Sequence, residues 1–224
     1  MIRVLIVDDQ AVVRAGLGVI LGTEPDIDVV GEGADGAEAL RLARELRPDV
    51  ICMDIRMPVM DGIAATRAIT ADQAVDADVL VLTTFDVDED VFAALEAGAA
   101  GFLLKGADEA TLLTAIRSVA AGDGTLDQRL TRRILAEFAA RRPTQPTRSA
   151  PTGPAVELTD RELDVLRLLG QGLSNAEIAG RLYIEPTTVK YHLASLLQKT
   201  YSRDRLQVVL WGVRAGLVDP TTSA

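Results

Sequence analysis

VICMDIRMPVMDG, residues 50–62, sets an aspartate at the end of an apolar run. Two branched aliphatics, a cysteine and a methionine in succession read as a buried β-strand, and Asp54 closes it. A carboxylate among such neighbours is costly to bury unpaired, so it should emerge where the strand ends, to meet water, a cation or a substrate. Comparable apolar runs occupy residues 4–7, 28–30, 79–82 and 101–104. Between them lie stretches of helical periodicity, such as 36–46 with Ala39, Leu42, Ala43 and Leu46 on one side, and 109–121. Five strands alternating with helices predict an α/β fold: a doubly wound, five-stranded parallel sheet with helices on both faces.

At 224 residues the chain has room for two domains. The opening MIRVLIVDDQ runs into two acids, unlike a signal peptide, and no segment approaches a spanning length; a cytoplasmic location without a membrane partner is the expectation. Cys52 is the only cysteine, so an intrachain disulfide and a thiolate metal cluster are excluded; it reads as a small buried hydrophobe. His192 is the only histidine, which excludes a multi-histidine metal site. The net charge of −10 is unevenly spread: residues 1–138 carry 12 basic and 25 acidic side chains, residues 155–224 eight of each. The acidity belongs to the front half, and a neutral rear half can still bind a polyanion if its cations share a face.

The stretch 141–156, RRPTQPTRSAPTGPAV, holds four prolines and few apolar residues, and reads as an extended linker after a helix at 128–140. The domains expected are therefore 1–121, a helix and linker over 122–156, and 157–224. In the last of these, Thr159 with Glu162 and Ser174 with Glu177 form capping boxes, Gly170 and Gly172 mark a turn, and Pro186 suits the first position of a third helix. Residues 174–182 and 186–199 make a helix-turn-helix within an all-α, four-helix domain. Val189, Leu193, Leu196 and Leu197 form its inward stripe, leaving Thr187, Lys190, Tyr191, Ala194 and Gln198 outward, suited to a major groove. On the last helix, 204–215, Leu206, Leu210 and Val213 face in, extended by Leu217, while Val209 and Trp211 lie off that stripe.

In a doubly wound sheet, ligands sit beyond the carboxyl ends of the strands. Asp8 and Asp9 follow the first strand, Asp54 ends the third, Thr83 the fourth, and Lys105 follows the fifth. Three carboxylates brought together repel one another and call for a hard, oxygen-seeking cation such as Mg²⁺. Asp54 is then the candidate nucleophile for a phosphoryl group, with the Thr83 hydroxyl and Lys105 ammonium binding the new oxygens. A phosphatase working through an aspartyl intermediate would want a second acid two residues after the nucleophile, where Arg56 stands, so an enzyme is not expected; a protein-interaction adaptor is the other rival. The run DVDED, 86–90, reads as acids for a helix's first turn rather than a metal loop. Arg132, Arg133, Arg141 and Arg142 read as solvated cations.

Through LIVDD, MDIRMPVMDG, VLVLTTFD and GAAGFLLK, residues 1–121 resemble the flavodoxin-like receiver domain of two-component response regulators. LTDRELDVLRLL, GLSNAEIAGRL, TTVKYHLASLL and SRDRLQVV make 158–217 similar to the LuxR-type output domain, and the whole resembles a NarL/FixJ-type regulator. The resemblance implies phosphotransfer to Asp54 from a sensor histidine kinase, and Mg²⁺ held by Asp9, Asp54 and the Arg56 carbonyl, with Asp8 nearby. It implies a switch through Thr83 and Phe102, homodimerisation on phosphorylation, pairing of the last helix with a second copy through Val209 and Trp211, and binding of double-stranded DNA, with RNA polymerase a candidate partner. Lys190 and Tyr191 would approach bases or phosphates, and Ser174, Asn175, Thr188 and Lys199 phosphates. Many receivers have tyrosine where Phe102 stands and proline where Gly106 stands; many output domains differ at Glu185, Tyr191 and Ala194.

Overall fold

The computed structural model describes residues 1–83, 89–122 and 156–218, with backbone only at 89–92. The helix expected at 128–140, the linker prolines, the four arginines at 132, 133, 141 and 142, and residues 86–88 of the acidic run lie outside the described residues. Two units divide the chain, Met1–Thr125 and Leu126–Ala224.

In the first unit β1 (Ile2–Val7), β2 (Ile27–Gly33), β3 (Val50–Asp54), β4 (Asp78–Thr83) and β5 (Gly101–Leu104) form one parallel sheet in the order β2-β1-β3-β4-β5. The helices are α1 (Ala11–Gly22), α2 (Gly36–Leu46), α3 (Gly62–Ala71), α4 (Glu89–Glu96) and α5 (Glu109–Ala120). Strand alternation explains why both faces are covered. Val4, Ile6, Val50, Cys52, Leu80 and Leu82 point to one side, where they pack with Leu21 of α1 and Leu112, Leu113, Ile116 and Val119 of α5. Leu5, Val7, Ile51, Met53, Val79 and Val81 are the alternate residues of the same strands and are buried too. Cys52 sits in the first set, where burial pushes its thiol up to about 12, as expected of an inert core residue.

Strand β2 is longer than the aliphatic run at 28–30 suggests, because its glycines still pair: Gly31 with Leu5 and Gly33 with Val7. A Cβ at Gly31 would come within 2.6 Å of the end of the Leu46 side chain on α2, which would have to turn aside. Helix α2 has the expected bounds, and Asp35 caps it by accepting from the backbone N–H groups of Ala37 and Glu38. Asp61 and Asp108 cap α3 and α5 in the same way.

The second unit contains α6 (Asp160–Gly170), α7 (Asn175–Leu182), α8 (Pro186–Thr200) and α9 (Arg205–Arg214). Both capping boxes form, Thr159 with Glu162 and Ser174 with Glu177. Val189, Leu193 and Leu196 of α8 are buried, whereas Leu197 is only half-buried. The expectation that Val209 stays free for a second copy fails: Val209 is buried, as is its neighbour Val208, and Trp211 is half-buried. The helix tail is also inverted, with Val218 rather than Leu217 buried. The physical cause is a notch made by two glycines. A Cβ at Gly170 would meet Val218 at 2.3 Å and one at Gly212 would meet it at 2.9 Å, so the chain after α9 folds back into the gap between α6 and α9.

Glu162 has a second task. Its carboxylate accepts from Ser195 at 2.6 Å and from the Lys199 ammonium at 2.7 Å, both on α8, while bonding the Thr159 backbone N–H. Burial works against its charge, but these bonds outweigh burial and hold the carboxyl down at about 2. Because the folded value lies below the unfolded one, the stabilisation is present above the ordinary glutamate range and lost as pH falls toward 2. Glu162→Gln keeps the cap and removes the charge. It should lower the stability of this unit by roughly 1–3 kcal/mol at pH 7, with the gap closing on acidification. Denaturant titrations followed by the fluorescence of Trp211, the chain's only tryptophan, would check this.

Candidate functional site

The sheet order explains why acids distant in sequence meet. β1 and β3 are neighbours although β2 intervenes in the chain, so the connections leave their carboxyl ends in opposite directions and open a crevice there. Val7 pairs with Met53, Asp54 with Leu82, and Thr83 with Leu104. Asp8, Asp54, Thr83 and Lys105 therefore stand like steps along one edge of the sheet.

Asp8 is fully buried and Asp54 nearly so, whereas Asp9 is exposed. Carboxylate oxygens of the three lie within 4.8 Å of one another. The Lys105 ammonium bridges two of them, 2.6 Å from Asp8 Oδ2 and 3.0 Å from Asp54 Oδ1. Burial raises the pKa of Asp54; Lys105 opposes this and the neighbouring Asp8 charge adds to it, and the net direction is up. For Lys105 burial again disfavours the charge, but its bonds to Asp8 and Asp54 prevail and its pKa rises. The site is thus a lysine clamped between two acids, with a third acid at the rim.

Backbone holds this arrangement close. Gly62, first residue of α3, donates to the Ile55 carbonyl at 2.8 Å, and a Cβ there would fall 1.9 Å from the Asp54 carbonyl oxygen. Gly36 donates to the Met60 carbonyl at 3.0 Å, tying α2 to the loop that follows Asp54. In that loop Val59 takes a φ of 65° and is exposed, while Arg56 is exposed just past the strand. Thr83 is buried at the end of β4, and Phe102 is buried in β5. Hard oxygen donors in a mutually repelling set are the chemistry that suits Mg²⁺, so the residues present fit that ion.

Sequence reasoning did not single out Arg14, whose Nη1 donates to the Asp8 carbonyl at 2.7 Å and whose Nε donates to Glu32 at 3.2 Å. The signal was there: it is the only charged residue of the otherwise apolar α1.

In the second unit Thr187, Lys190, Tyr191, Ala194 and Gln198 are all exposed on α8, and Thr188 is half-buried. Ser174 is exposed, and its hydroxyl bonds Glu177. Asn175 Oδ1 accepts from Arg205 at 3.1 Å, and Lys199 is held on Glu162, so these two side chains already serve packing. His192 is half-buried with its ring edge-on to Tyr191, centroids 6.0 Å apart.

Residues 4–117 match the response regulator receiver domain, and residues 156–211 match the bacterial regulatory proteins of the luxR family. The chain is 41% identical over 220 residues to the transcriptional regulatory protein LiaR of Bacillus subtilis (strain 168), covering 98% of this chain and all of LiaR. Among solved structures it is similar to a two-component response regulator of the LuxR family from Aurantimonas sp. SI85-9A1, with 37% identity, a TM-score of 0.55, and coverage of 60% of this chain and 96% of that one. It also resembles the isolated REC domain of RcsB from Salmonella enterica serovar Typhimurium in the presence of phosphomimetic BeF3-, with 25% identity, a TM-score of 0.52, and coverage of 58% and 96%.

A carboxyl whose folded pKa lies above its unfolded one favours folding when protonated, and that advantage is lost as pH rises through the folded value. Asp54→Asn cannot ionise. In the absence of divalent cations it should raise the melting temperature at pH 7 by about 2–5 °C, with the difference fading below the ordinary aspartate range. Calorimetry across pH checks this, and an unchanged or lower midpoint at pH 7 contradicts it.

Proposed function

Since the chain belongs to the two-component response regulators that join a receiver domain to a LuxR-type DNA-binding domain, and is a transcriptional regulator of that kind, we propose that Asp54 is its phosphoacceptor. The observation that carries this reading is the Lys105 bridge between Asp8 and Asp54 in a crevice of three carboxylates. A nucleophile must be near the surface yet partly desolvated, and Asp54 is both.

Asp8, Asp9, Asp54 and the Arg56 carbonyl would hold Mg²⁺. When bound, it offsets the carboxylate charges and those of the incoming phosphoryl oxygens. Asp54 then attacks phosphorus, the bond from phosphorus to the kinase histidine breaks, and the leaving imidazole retains its electron pair. Lys105 exchanges its contact with Asp54 Oδ1 for a phosphoryl oxygen, and the Thr83 hydroxyl donates to another. Phosphorylation adds about two negative charges in place of one, so the state in which Thr83 and Lys105 close on the site gains population, with Phe102 repacking behind Thr83. That state favours a homodimer.

Two output domains then meet paired half-sites about one turn of double-stranded DNA apart. Thr187, Lys190, Tyr191 and Ala194 face the groove, and Ser174, Asn175 and Thr188 lie toward the phosphates. Lys199 braces α8 through Glu162 while adding charge near the backbone. RNA polymerase is the expected downstream partner, and the cytoplasm the expected location. No helix of the described residues is long and apolar enough to cross a membrane.

Acetyl phosphate with Mg²⁺ should add one phosphoryl mass to the wild-type chain and shift it toward a dimer, and should leave Asp54→Ala unmodified and monomeric. Equal modification of both, or of neither, removes the assignment. Lys190→Ala should weaken DNA binding and reduce the slope of log affinity against log salt by about one; an unchanged isotherm at every salt concentration excludes its role.

A further inference from the structure

Helix α1 turns Leu21 into the core, with Leu17 and Ile20 packed against it. It exposes Val12 at 76% and Val19 at 70%, yet tucks away its single charged side chain, Arg14, at 18%. Arginine is among the residues least often buried, so the low exposure of this one points to a task at its buried end. The task is visible at its tip: Nη1 donates to the Asp8 carbonyl at 2.7 Å, while Nε anchors on Glu32 at the far end of β2, 3.2 Å away.

Asp8 is constrained at each polar atom. Its N–H donates to the Gly33 carbonyl at 3.1 Å, its Oδ1 accepts from the Gln10 N–H at 2.9 Å, its Oδ2 meets Lys105, and its carbonyl accepts from Arg14. The ordinary restraint on a turn entering a helix is a side-chain cap, and here it is missing. Gln10 occupies the N-cap position without a side-chain bond, and the first turn carries no acid. Arg14 reaches back from the first turn of α1 to the Asp8 carbonyl and adds a second restraint beside the bond from the Gln10 N–H to Asp8 Oδ1.

We infer that Arg14 is a positioning residue for the divalent cation: by holding the Asp8 carbonyl against Glu32, it fixes the β1–α1 turn and so the spacing of the Asp8 and Asp9 carboxylates opposite Asp54. The inference rests on the reading of that cluster as the Mg²⁺ site. Two effects of removing Arg14 have opposite signs. Deleting a positive charge beside an acidic cluster tightens cation binding; loosening the turn weakens it. Bonds that orient ligands typically govern about ten-fold or more in metal affinity, so the positional effect should win.

The test uses the full-length chain and Mg²⁺ alone, read by isothermal calorimetry, with the Mg²⁺ dependence of acetyl phosphate modification as a second readout. Arg14→Ala should raise the Mg²⁺ dissociation constant about ten-fold. It should shift half-saturation for phosphorylation equally and leave the rate at saturating Mg²⁺ within about two-fold. Arg14→Lys keeps the charge without the two-pronged reach. It should raise the constant about three-fold, and it carries the test alone if the alanine variant does not fold. Arg117→Ala breaks the Arg117 pairs with Glu24 and Asp26 beside the start of β2, and should leave Mg²⁺ affinity at the wild-type value. Equal or tighter Mg²⁺ binding by Arg14→Ala, or the same loss in Arg117→Ala, overturns the inference. Calorimetry reads the metal without phosphorus, so a wild-type chain that binds Mg²⁺ but refuses the phosphoryl group would overturn the functional reading and leave the Arg14 comparison decided by affinity.

Discussion

Three carboxylates at the edge of one sheet repel one another, and the Lys105 ammonium is what lets the fold hold them together. It bridges Asp8 and Asp54 at 2.6 and 3.0 Å in a crevice where water screens poorly. Burial holds the Asp54 pKa up despite its lysine partner, and the Asp8 charge beside it adds to the rise, so one cation shared between two buried acids leaves charge uncompensated. The same imbalance makes the crevice receptive to a divalent ion. A site fully neutral in its resting state would have no such affinity, and a site without Lys105 would press the acids apart.

The backbone around this cluster tolerates almost no change of volume. Gly62 lies against the Asp54 carbonyl and Gly36 against Met60, so α3 and α2 begin within contact of Asp54 and the loop that follows it. On the other side Arg14 and Glu32 grip the turn after β1. In the proposed function, a change of charge at Asp54 would act on helices that already touch it, the close contact that a switch needs.

The second unit uses a buried carboxylate for the opposite purpose. Glu162 is surrounded by donors from Thr159, Ser195 and Lys199, and its pKa falls to about 2. Saturated in this way it has nothing left to offer a ligand, and it locks α6 to α8. The exposed face of α8 can then be presented in one orientation while the helix's inner side stays fixed.

Periodicity and strand-end chemistry in the sequence were enough to specify the five parallel strands, the helix-turn-helix, both capping boxes and the acids at residues 8, 9 and 54. These follow from local rules: alternation, caps and the high cost of a lone carboxylate in an apolar run. What the sequence could not determine was anything set by contacts between distant segments. Glu162 is legible as a cap, but its bonds to Ser195 and Lys199 depend on α6 lying across α8. Val209 looks like an outward residue on helical spacing, yet it is buried in a unit where Gly170 and Gly212 open a notch that Val218 fills. Arg14 stands out from local pattern only as the one charge on α1, and its bond to Glu32 exists only once β2 lies beside that helix. Local patterns carry the identity of a residue and its place on an element, whereas partners recruited from across the chain exist only once the elements have packed.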